Sequence, residues 1–340
     1  MMKWLAVTCL AVLTCSVASS APLDDLSAGP TGRIEFMASN PPHRWGLIRG
    51  RLGDQQVIWG DLIMPPSAGE KAPVVVMSHG SDGITEGMHQ VWAKPMLAAG
   101  FAVFVVDSFT PRDSAKIAGT AGQLTWNTTV NISDAIYALK ILATHPMLDA
   151  SRIFHIGWSR GGNAVTGAMW PNYRQPITGS DSIKWAGSIA VYPGCNFRYK
   201  NPMLKISAPV LYLLAEKDDM TPAQPCVEEA QLLAAEGNPI THKVLDGAHH
   251  VFDRLNQPWK KGREGTYADC ALDVIMPVAK WDATGWGPGL NRKTNKVITT
   301  PAELDVLVKE CATTKWVTIE SNARAREEAV KLTIEFLKRH

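Results

Sequence analysis

Short apolar runs alternate with helical segments through the middle of the chain, and this alternation is what most constrains the fold. Two runs, APVVVMSHG and FAVFVVDSF, are apolar almost throughout, as expected of strands buried on both faces of a sheet. The segment ISDAIYALKILATHP has apolar residues at helical spacing and ends at Pro146. The alternation predicts an α/β fold with a mostly parallel central sheet and helices on both faces.

Further elements follow the same alternation. Strands are predicted over RIFHIGWS, WAGSIAVYP, APVLYLLAE and THKVLDG, and helices over HQVWAKPMLAAG, from Arg160, over AQPCVEEAQLLAAEG and over the final NARAREEAVKLTIEFLKRH. Residues 33–39, 45–52 and 56–65 are predicted to form strands of an opening antiparallel sheet. Residues 254–320 are too long for an ordinary connection, so we interpret them as a segment inserted before the C-terminal helix.

The N-terminus has the pattern of a signal peptide. Lys3 precedes the apolar WLAVTCLAVLTC, and the small residues SVASSAP follow it. We predict cleavage after Ser20, a secreted or periplasmic protein, and one domain over residues 21–340. The apolar stretch is shorter than the roughly 20 residues that span a membrane, so no membrane span is predicted. The alternative is a buried N-terminal helix.

Four cysteines follow the predicted signal peptide, and an even number in an exported protein suggests disulfides. Cys195 and Cys226 follow sequential strands, which are usually neighbours, and we predict that they pair. Cys270 and Cys311 flank most of residues 254–320, and we predict a second pair there. The alternative is four buried thiols that behave as small apolar side chains.

A serine between two glycines lies where a predicted strand changes to a predicted helix. The pattern is Gly157-Trp158-Ser159-Arg160-Gly161. Glycines permit a sharp turn that exposes the Ser159 hydroxyl above the sheet, and the following helix points its positive end at the site. We predict that Ser159 is a nucleophile and that Trp158 contacts substrate. The alternatives are a serine in a tight turn and a packed tryptophan.

A nucleophilic serine needs a base, an acid that orients the base, and an oxyanion site. After the last predicted strand, GAHHVF supplies His249 and His250 as candidate bases. After the preceding strand, EKDDMTP supplies Asp218 and Asp219, which their chemistry alone does not separate. The order serine, aspartate, histidine is the order of α/β-hydrolases.

The oxyanion site requires two backbone amides. One is expected from Arg160, the residue after the nucleophile, and the other from Ser81 in the loop SHGSDG. His79 in that loop is interpreted as structural.

Together these motifs make the chain resemble the dienelactone hydrolase family of the α/β-hydrolase superfamily, over about residues 55–253 and the final helix. The resemblance rests on VVVMSHGSDG, VVDSFTPR, GWSRGG, VYPGC, EKDDMTP and GAHHVF. In that family the acid precedes a proline by four positions and the base precedes an aromatic residue by two, which selects Asp218 and His250. The namesake enzymes use a cysteine nucleophile where this chain has Ser159. A minimal member also has no counterpart of residues 254–320.

The resemblance implies an α/β-hydrolase fold and acyl-transfer chemistry. We expect an exported serine hydrolase that cleaves small-molecule carboxylic esters or lactones through an acyl-serine intermediate. A peptidase or an acyltransferase on the same triad is the alternative, and a non-catalytic binding module is a third. Residues 254–320 start just after His250, so we predict that they form a cap beside the site, with Trp281 and Trp286 affecting substrate binding. The alternative is an appendage on the side of the domain.

Other function classes have little support in the sequence. The formal net charge of +2 does not indicate nucleic acid or an anionic membrane as a partner. No CxxC pair or helical histidine pair suggests a metal, and no glycine-rich phosphate loop suggests a nucleotide, so no cofactor is predicted. The oligomeric state is not predicted.

Overall fold

The computed structural model describes residues 21–66, 71–200, 204–275 and 289–340. The predicted signal peptide, residues 1–20, lies outside the described residues. The strands are β1 Gly32–Ser39, β2 Gln55–Ile63, β3 Ala72–Ser78, β4 Ala102–Asp107, β5 Leu148–Trp158, β6 Gly187–Val191, β7 Phe197–Lys200, β8 Val210–Ala215, β9 Ile240–Leu245, β10 Lys260–Thr266, β11 Leu272–Ile275, β12 Gly289–Asn291, β13 Lys296–Ile298 and β14 Thr313–Ile319.

Eight of these strands form the main sheet, in the order β1-β2-β4-β3-β5-β6-β8-β9. The pairs from β4 through β9 are parallel, whereas β1 pairs with β2 and β2 with β4 in antiparallel fashion. The predicted α/β fold with a mostly parallel sheet is therefore confirmed. The carboxyl ends of β3, β5, β6, β8 and β9 point to one edge, which is where open α/β sheets bind ligands.

Helices cover both faces of the main sheet. They are α1 Arg44–Ile48, α2 Lys94–Ala98, α3 Gly122–Thr125, α4 Thr129–Leu142, α5 Arg160–Ala168, α6 Pro171–Thr178, α7 Ala223–Ala235, α8 Pro301–Cys311 and α9 Ala323–Arg339. A π-helical turn, Met88–Ala93, leads into α2, and a short 3₁₀ helix, Thr110–Arg112, follows β4. One buried apolar cluster joins the sheet to α1 and α4 to α7, and a second joins it to α2 and α9.

The strand predicted over residues 45–52 is wrong, because this part of the chain forms α1. The Nδ1 atom of His43 accepts a hydrogen bond of 3.0 Å from the backbone amide of Gly46 and so caps the helix. The amides of Arg49 and Arg51 then both donate to the Gly46 carbonyl, which turns the chain back. An apolar run this short does not distinguish a strand from a single buried helical turn.

The late segment, residues 254–320, folds into small sheets of its own. Strands β10 and β14 pair antiparallel, and β13, β12 and β11 continue onto β7, which lies outside the segment and was not predicted. Helix α8 begins with a capping box, in which Thr300 and Glu303 each bond the other's backbone amide. Trp281 and Trp286 lie outside the described residues.

Both predicted disulfides are present in the structure. Cys195 bonds Cys226 across 31 residues, and Cys270 bonds Cys311 across 41 residues. The first links the loop after β6 to α7, and the second links the start of the late segment to the end of α8. None of the described helices is long and apolar enough to cross a membrane.

Candidate active site

Ser159 lies at a sharp turn between β5 and α5. Its backbone has φ +52° and ψ −112°, a conformation that residues other than glycine rarely adopt and that is typical of a nucleophile elbow. A Cβ atom at Gly157 would overlap the carbonyl of Gly161, and one at Gly161 would overlap the carbonyl of Ser78. The two glycines are therefore required by close backbone packing around Ser159.

The structure brings Ser159, His250 and Asp218 together. His250 Nε2 lies 3.1 Å from Ser159 Oγ, and His250 Nδ1 lies 2.7 Å from Asp218 Oδ2. His250 is 2 % exposed and Asp218 is 5 % exposed, so little water competes for these hydrogen bonds. The distances fit a base within reach of a hydroxyl and an acid that orients the base.

Asp218 is held by the turn that follows it. Its Oδ1 accepts hydrogen bonds from the backbone amides of Met220, at 3.0 Å, and Thr221, at 2.8 Å. The Thr221 hydroxyl lies 3.0 Å from Asp218 Oδ2 and 3.1 Å from His250 Nδ1. The sequence pattern did not single out Thr221, although aspartate side chains often bond amides two residues on.

The neighbouring candidates make different contacts. Asp219 accepts hydrogen bonds from the amide and hydroxyl of Thr318 in β14, at 2.7 and 2.9 Å. His249 Nδ1 donates to the carbonyl of Lys217 at 3.0 Å, and its Nε2 lies 3.8 Å from Glu320. Both side chains therefore face the late segment or the backbone.

A second buried carboxyl group, which the sequence pattern did not single out, lies beside His250. Tyr192 packs its ring 4.7 Å from the His250 ring and donates its hydroxyl hydrogen to Asp253 Oδ1 at 2.6 Å. Trp92 Nε1 donates to Asp253 Oδ2 at 2.7 Å. Burial raises the pKa of Asp253 and outweighs these two donors. The hydrogen bond to Asp253 holds the Tyr192 ring against which His250 packs.

The pKa of His250 lies above its ordinary value of 6.5. Burial lowers the pKa of this imidazole, but the charge and hydrogen bond of Asp218 and the charges of Asp253 and Asp219 together raise it further. This surrounding negative charge favours the imidazolium that forms when a base accepts a proton.

Arg160 and Ser81 lie next to the nucleophile. Arg160 is the first residue of α5, and the first amides of a helix have no acceptor within it. Its buried guanidinium donates from Nε to Ser81 Oγ at 3.2 Å, to Thr128 Oγ1 at 2.8 Å and to the Gln123 carbonyl at 2.7 Å. Burial lowers the pKa of Arg160 to about 10. The side chain thus ties the elbow to two surrounding loops.

The His-Gly loop before Ser81 packs directly on the elbow. A Cβ atom at Gly80 would lie 3.3 Å from the carbonyl oxygen of Trp158. Both ring nitrogens of His79 are bonded, since Nδ1 donates to the Gly80 carbonyl and Nε2 accepts from the Ser108 amide. His79 therefore has a structural role in the loop, as interpreted from the sequence.

A cavity of about 310 Å³ opens above Ser159 and His250. Trp158 lines it but is 4 % exposed and packs its ring 5.2 Å from Trp92, so most of this side chain belongs to the core. Charged side chains also line this cavity. They include Asp82 and Lys116, and the late segment contributes Arg254, Gln257, Lys260, Glu264 and Ile319 to the lining.

The part of the chain that the structure describes contains no group of three or more His, Cys, Asp or Glu side chains that could hold a metal ion.

The chain is similar to a known protein family and, over part of its length, to solved structures. A family model described as the dienelactone hydrolase family matches residues 59–272. No curated protein matches the chain significantly. Among solved structures, a putative dienelactone hydrolase from Klebsiella pneumoniae has a TM-score of 0.44 and 16% identity, covering 65% of this chain and 89% of its own. An esterase from Pyrobaculum calidifontis has a TM-score of 0.44 and 19% identity, and the match covers 66% of this chain and 80% of the esterase. Esterase 2 from Thermogutta terrifontis has a TM-score of 0.44 and 13% identity, and the match covers 58% of this chain and 81% of the esterase.

Proposed function

The chain belongs to the dienelactone hydrolase family and is a carboxylic ester hydrolase, and from this premise we propose that it works as an exported serine esterase with an acyl-serine intermediate. The observation that carries the proposal is the 3.1 Å contact between Ser159 Oγ and His250 Nε2. Asp218, bonded to the other ring nitrogen, supports it.

In the first half of the reaction, His250 Nε2 accepts the Ser159 hydroxyl proton as Oγ attacks the ester carbonyl. The carbonyl π bond breaks, and its oxygen becomes an oxyanion that receives hydrogen bonds from the amides of Ser81 and Arg160. Asp218 keeps the Nδ1 hydrogen in place and balances the charge of the imidazolium. The intermediate then expels the alcohol, which takes the proton from Nε2.

In the second half, water enters where the alcohol left. His250 accepts a proton from this water, whose oxygen attacks the acyl carbonyl. Collapse of the second tetrahedral intermediate breaks the bond to Oγ, which recovers the proton from His250. The acid is released and Ser159 is restored. An amine or a second alcohol in place of water would make the same site a peptidase or an acyltransferase, the alternatives that substrate assays separate.

The late segment acts as a cap over this site in the proposal. Five of its residues line the cavity that also contains His250, namely Arg254, Gln257, Lys260, Glu264 and Ile319. Two tryptophans of the segment, Trp259 and Trp316, are 57 % and 64 % exposed and so do not pack into its core. Residues 21–340 would then act as one domain. Asp219 and β7 belong to the body, meaning the chain outside the late segment, and both bond the segment.

Export is the remaining part of the proposal. The N-terminal sequence has the pattern of a signal peptide, and two disulfides are typical of proteins that fold in an oxidising compartment. We propose that the mature protein begins after Ser20 and works outside the cytoplasm.

Replacement of Ser159 by alanine tests the nucleophile. We expect Ser159→Ala to lose about 10⁴-fold or more in kcat on p-nitrophenyl esters while keeping its melting temperature, since only oxyanion and binding effects remain. A fluorophosphonate probe should label Ser159 in the wild-type enzyme, as located by peptide mass spectrometry.

Ser151→Ala is the matched control, because Ser151 is exposed at the start of β5, the strand that ends at the nucleophile. This variant should be labelled and active like the wild type. If Ser159→Ala retains more than about a tenth of the wild-type rate, Ser159 is not the nucleophile.

A further inference from the structure

A second and larger cavity lies between α1, α5 and α8. Its volume is about 560 Å³, against about 310 Å³ for the cavity that contains His250. Helix α8 of the late segment contributes Leu304, Asp305 and Val308 to its wall. The ester hydrolysis described above does not use this space.

The larger cavity adjoins the nucleophile through a small connecting cavity of about 80 Å³. The connecting cavity is lined by Ser159 and Arg160 at one end. It shares five wall residues with the larger one, namely Thr128, Asn163, Gly194, Phe197 and Tyr267. A chain attached to Ser159 Oγ can therefore extend from the nucleophile towards α1.

The position of His250 determines whether the acyl group or the alcohol of an ester extends into the connecting cavity. The leaving alcohol must receive its proton from His250 Nε2, so it occupies the cavity that His250 lines. The connecting cavity is lined by Ser159 and Thr221 but not by His250. The acyl group therefore points through the connecting cavity into the larger one.

The wall of the larger cavity is cationic. Arg44, Arg49 and Arg51 line it, against one described carboxylate, Asp305. Neither Arg44 nor Arg51 takes part in an ion pair of the described residues. Arginine keeps its charge in proteins and presents a fork of donors that matches a carboxylate.

One of these cations is held in place by aromatic rings. The guanidinium of Arg44 stacks 4.0 Å from the centroid of Tyr199. Its Nη1 is buried near Gly167 of α5, and the guanidinium also lies 5.9 Å from the centroid of the Tyr173 ring. Trp126, Phe197 and Tyr267 supply apolar wall between this cation and the connecting cavity.

We propose that this cavity binds a carboxylate at the far end of the acyl chain, so that the enzyme prefers half-esters of dicarboxylic acids to neutral esters of the same length. The inference rests on the proposed acyl-serine function of Ser159. The apolar stem of the acyl chain lies along the aromatic wall, and its terminal carboxylate meets Arg44 and Arg51. The late segment, through α8, thereby selects the substrate on the acyl side as well.

Mono-p-nitrophenyl esters of linear dicarboxylic acids, from succinate to sebacate, test the proposal against p-nitrophenyl alkanoates of matched length. The measured quantity is the ratio of kcat/KM for the acidic ester to kcat/KM for its neutral partner at low salt. We expect this ratio to exceed one at a particular chain length, to arise in KM, and to fall as NaCl is added. The preferred length reports the distance from Ser159 to the arginines.

Two exposed positions on the wall allow opposite changes of charge. Arg51→Glu should lower the ratio about tenfold, because it reverses a charge near the carboxylate, and Asp305→Asn should raise it about twofold. Arg339→Glu is the matched control. It changes net charge equally but lies at the far end of α9, a helix of 17 residues whose start bonds Phe252. Its ratio should equal that of the wild type.

The result that overturns the inference is a wild-type ratio of about one or below at every chain length, or equal ratios in Arg51→Glu and Arg339→Glu. Binding of adipate and suberate to Ser159→Ala, measured by calorimetry, separates this inference from the proposed function. Carboxylate binding that Arg51→Glu weakens supports the cavity even if no ester is cleaved. Ester cleavage without any such binding supports the proposed esterase activity and shows that the larger cavity does not bind a substrate carboxylate.

Discussion

The main sheet and the late segment differ in how they are held together. Strands β4 and β8 are buried at every residue, whereas β10 has one buried residue, Thr266, among seven. Burial of continuous apolar strands stabilises the sheet from its own sequence. The segment instead depends on a few ties to the body. The proposed nucleophile, acid and base lie on loops of the first region, and much of the proposed substrate selection lies in the second.

The late segment is held by a disulfide within it and by contacts with the body. The disulfide Cys270–Cys311 closes the segment on itself, β11 pairs with β7 of the body, and Asp219 bonds Thr318 in β14. Each is a contact between residues distant in sequence. Breaking one of these contacts should therefore alter the late segment, while the loops that carry Ser159 and His250 keep their conformation.

The largest effect is expected at His250. His250→Ala should lose about 10⁴-fold or more in kcat, close to the loss in Ser159→Ala, because residues that act as a unit do not have additive effects. His249→Ala should lose much less, since that side chain bonds the backbone of Lys217. Equal losses in the two histidine variants would leave the base unassigned and contradict the division between body and segment.

The two aspartates should separate the body from the segment. Asp218→Asn should lower kcat by about 10³-fold or more, because the amide no longer selects the required tautomer of His250. Asp219→Asn should change kcat by no more than a few-fold and lower stability by about 1 kcal/mol, through weaker bonds to Thr318. Steady-state kinetics and urea unfolding measure both. A larger kinetic loss in Asp219→Asn than in Asp218→Asn would reverse the assignment.

Activity should depend on the protonation of His250. The neutral imidazole is the base, so kcat/KM should rise about tenfold per pH unit below the pKa of His250, with a midpoint above 6.5 because that pKa is raised. The raised pKa also means that the folded state binds the proton more tightly than the unfolded chain. The contribution of His250 to stability is therefore full below pH 6.5 and lost as pH rises through the raised pKa. Rate profiles and melting curves across this interval should move in opposite directions, and a midpoint below 6.5 would contradict the geometry.

A smaller effect on the rate is expected from opening the segment disulfide. Cys270→Ser with Cys311→Ser should lower the free energy of unfolding by roughly 2–4 kcal/mol. It should raise KM several-fold with little change in kcat, because Lys260 and Glu264 line the cavity but do not contact Ser159. Cys195→Ser with Cys226→Ser is the counterpart in the body. It should lower the free energy of unfolding without a preferential rise in KM. A loss of kcat alone in the first variant would remove the cap from substrate binding.

Local patterns in the sequence determined a large part of the main sheet. Apolar runs such as those of β3 and β4 can only be buried, and the paired glycines around Ser159 are required where a strand must turn at once into a helix. The order of Ser159, Asp218 and His250 follows from successive strand ends at one edge. The apolar runs and the glycine turn depend on residues close together in the chain, so their pattern predicts them, whereas the choice of Asp218 and His250 rested on the resemblance to the family.

The tertiary structure decided what depends on distant neighbours. It showed that Asp219 bonds Thr318, that the Thr221 hydroxyl lies within hydrogen-bond distance of His250, and that Asp253 bonds the tyrosine whose ring packs on His250. It also turned residues 44–48 into α1, where a strand was predicted, and brought Arg44 and Arg51 beside α8. Asp219 and Thr318 are 99 positions apart and Tyr192 and Asp253 are 61 positions apart. No local spacing in the sequence shows which of such distant residues will meet.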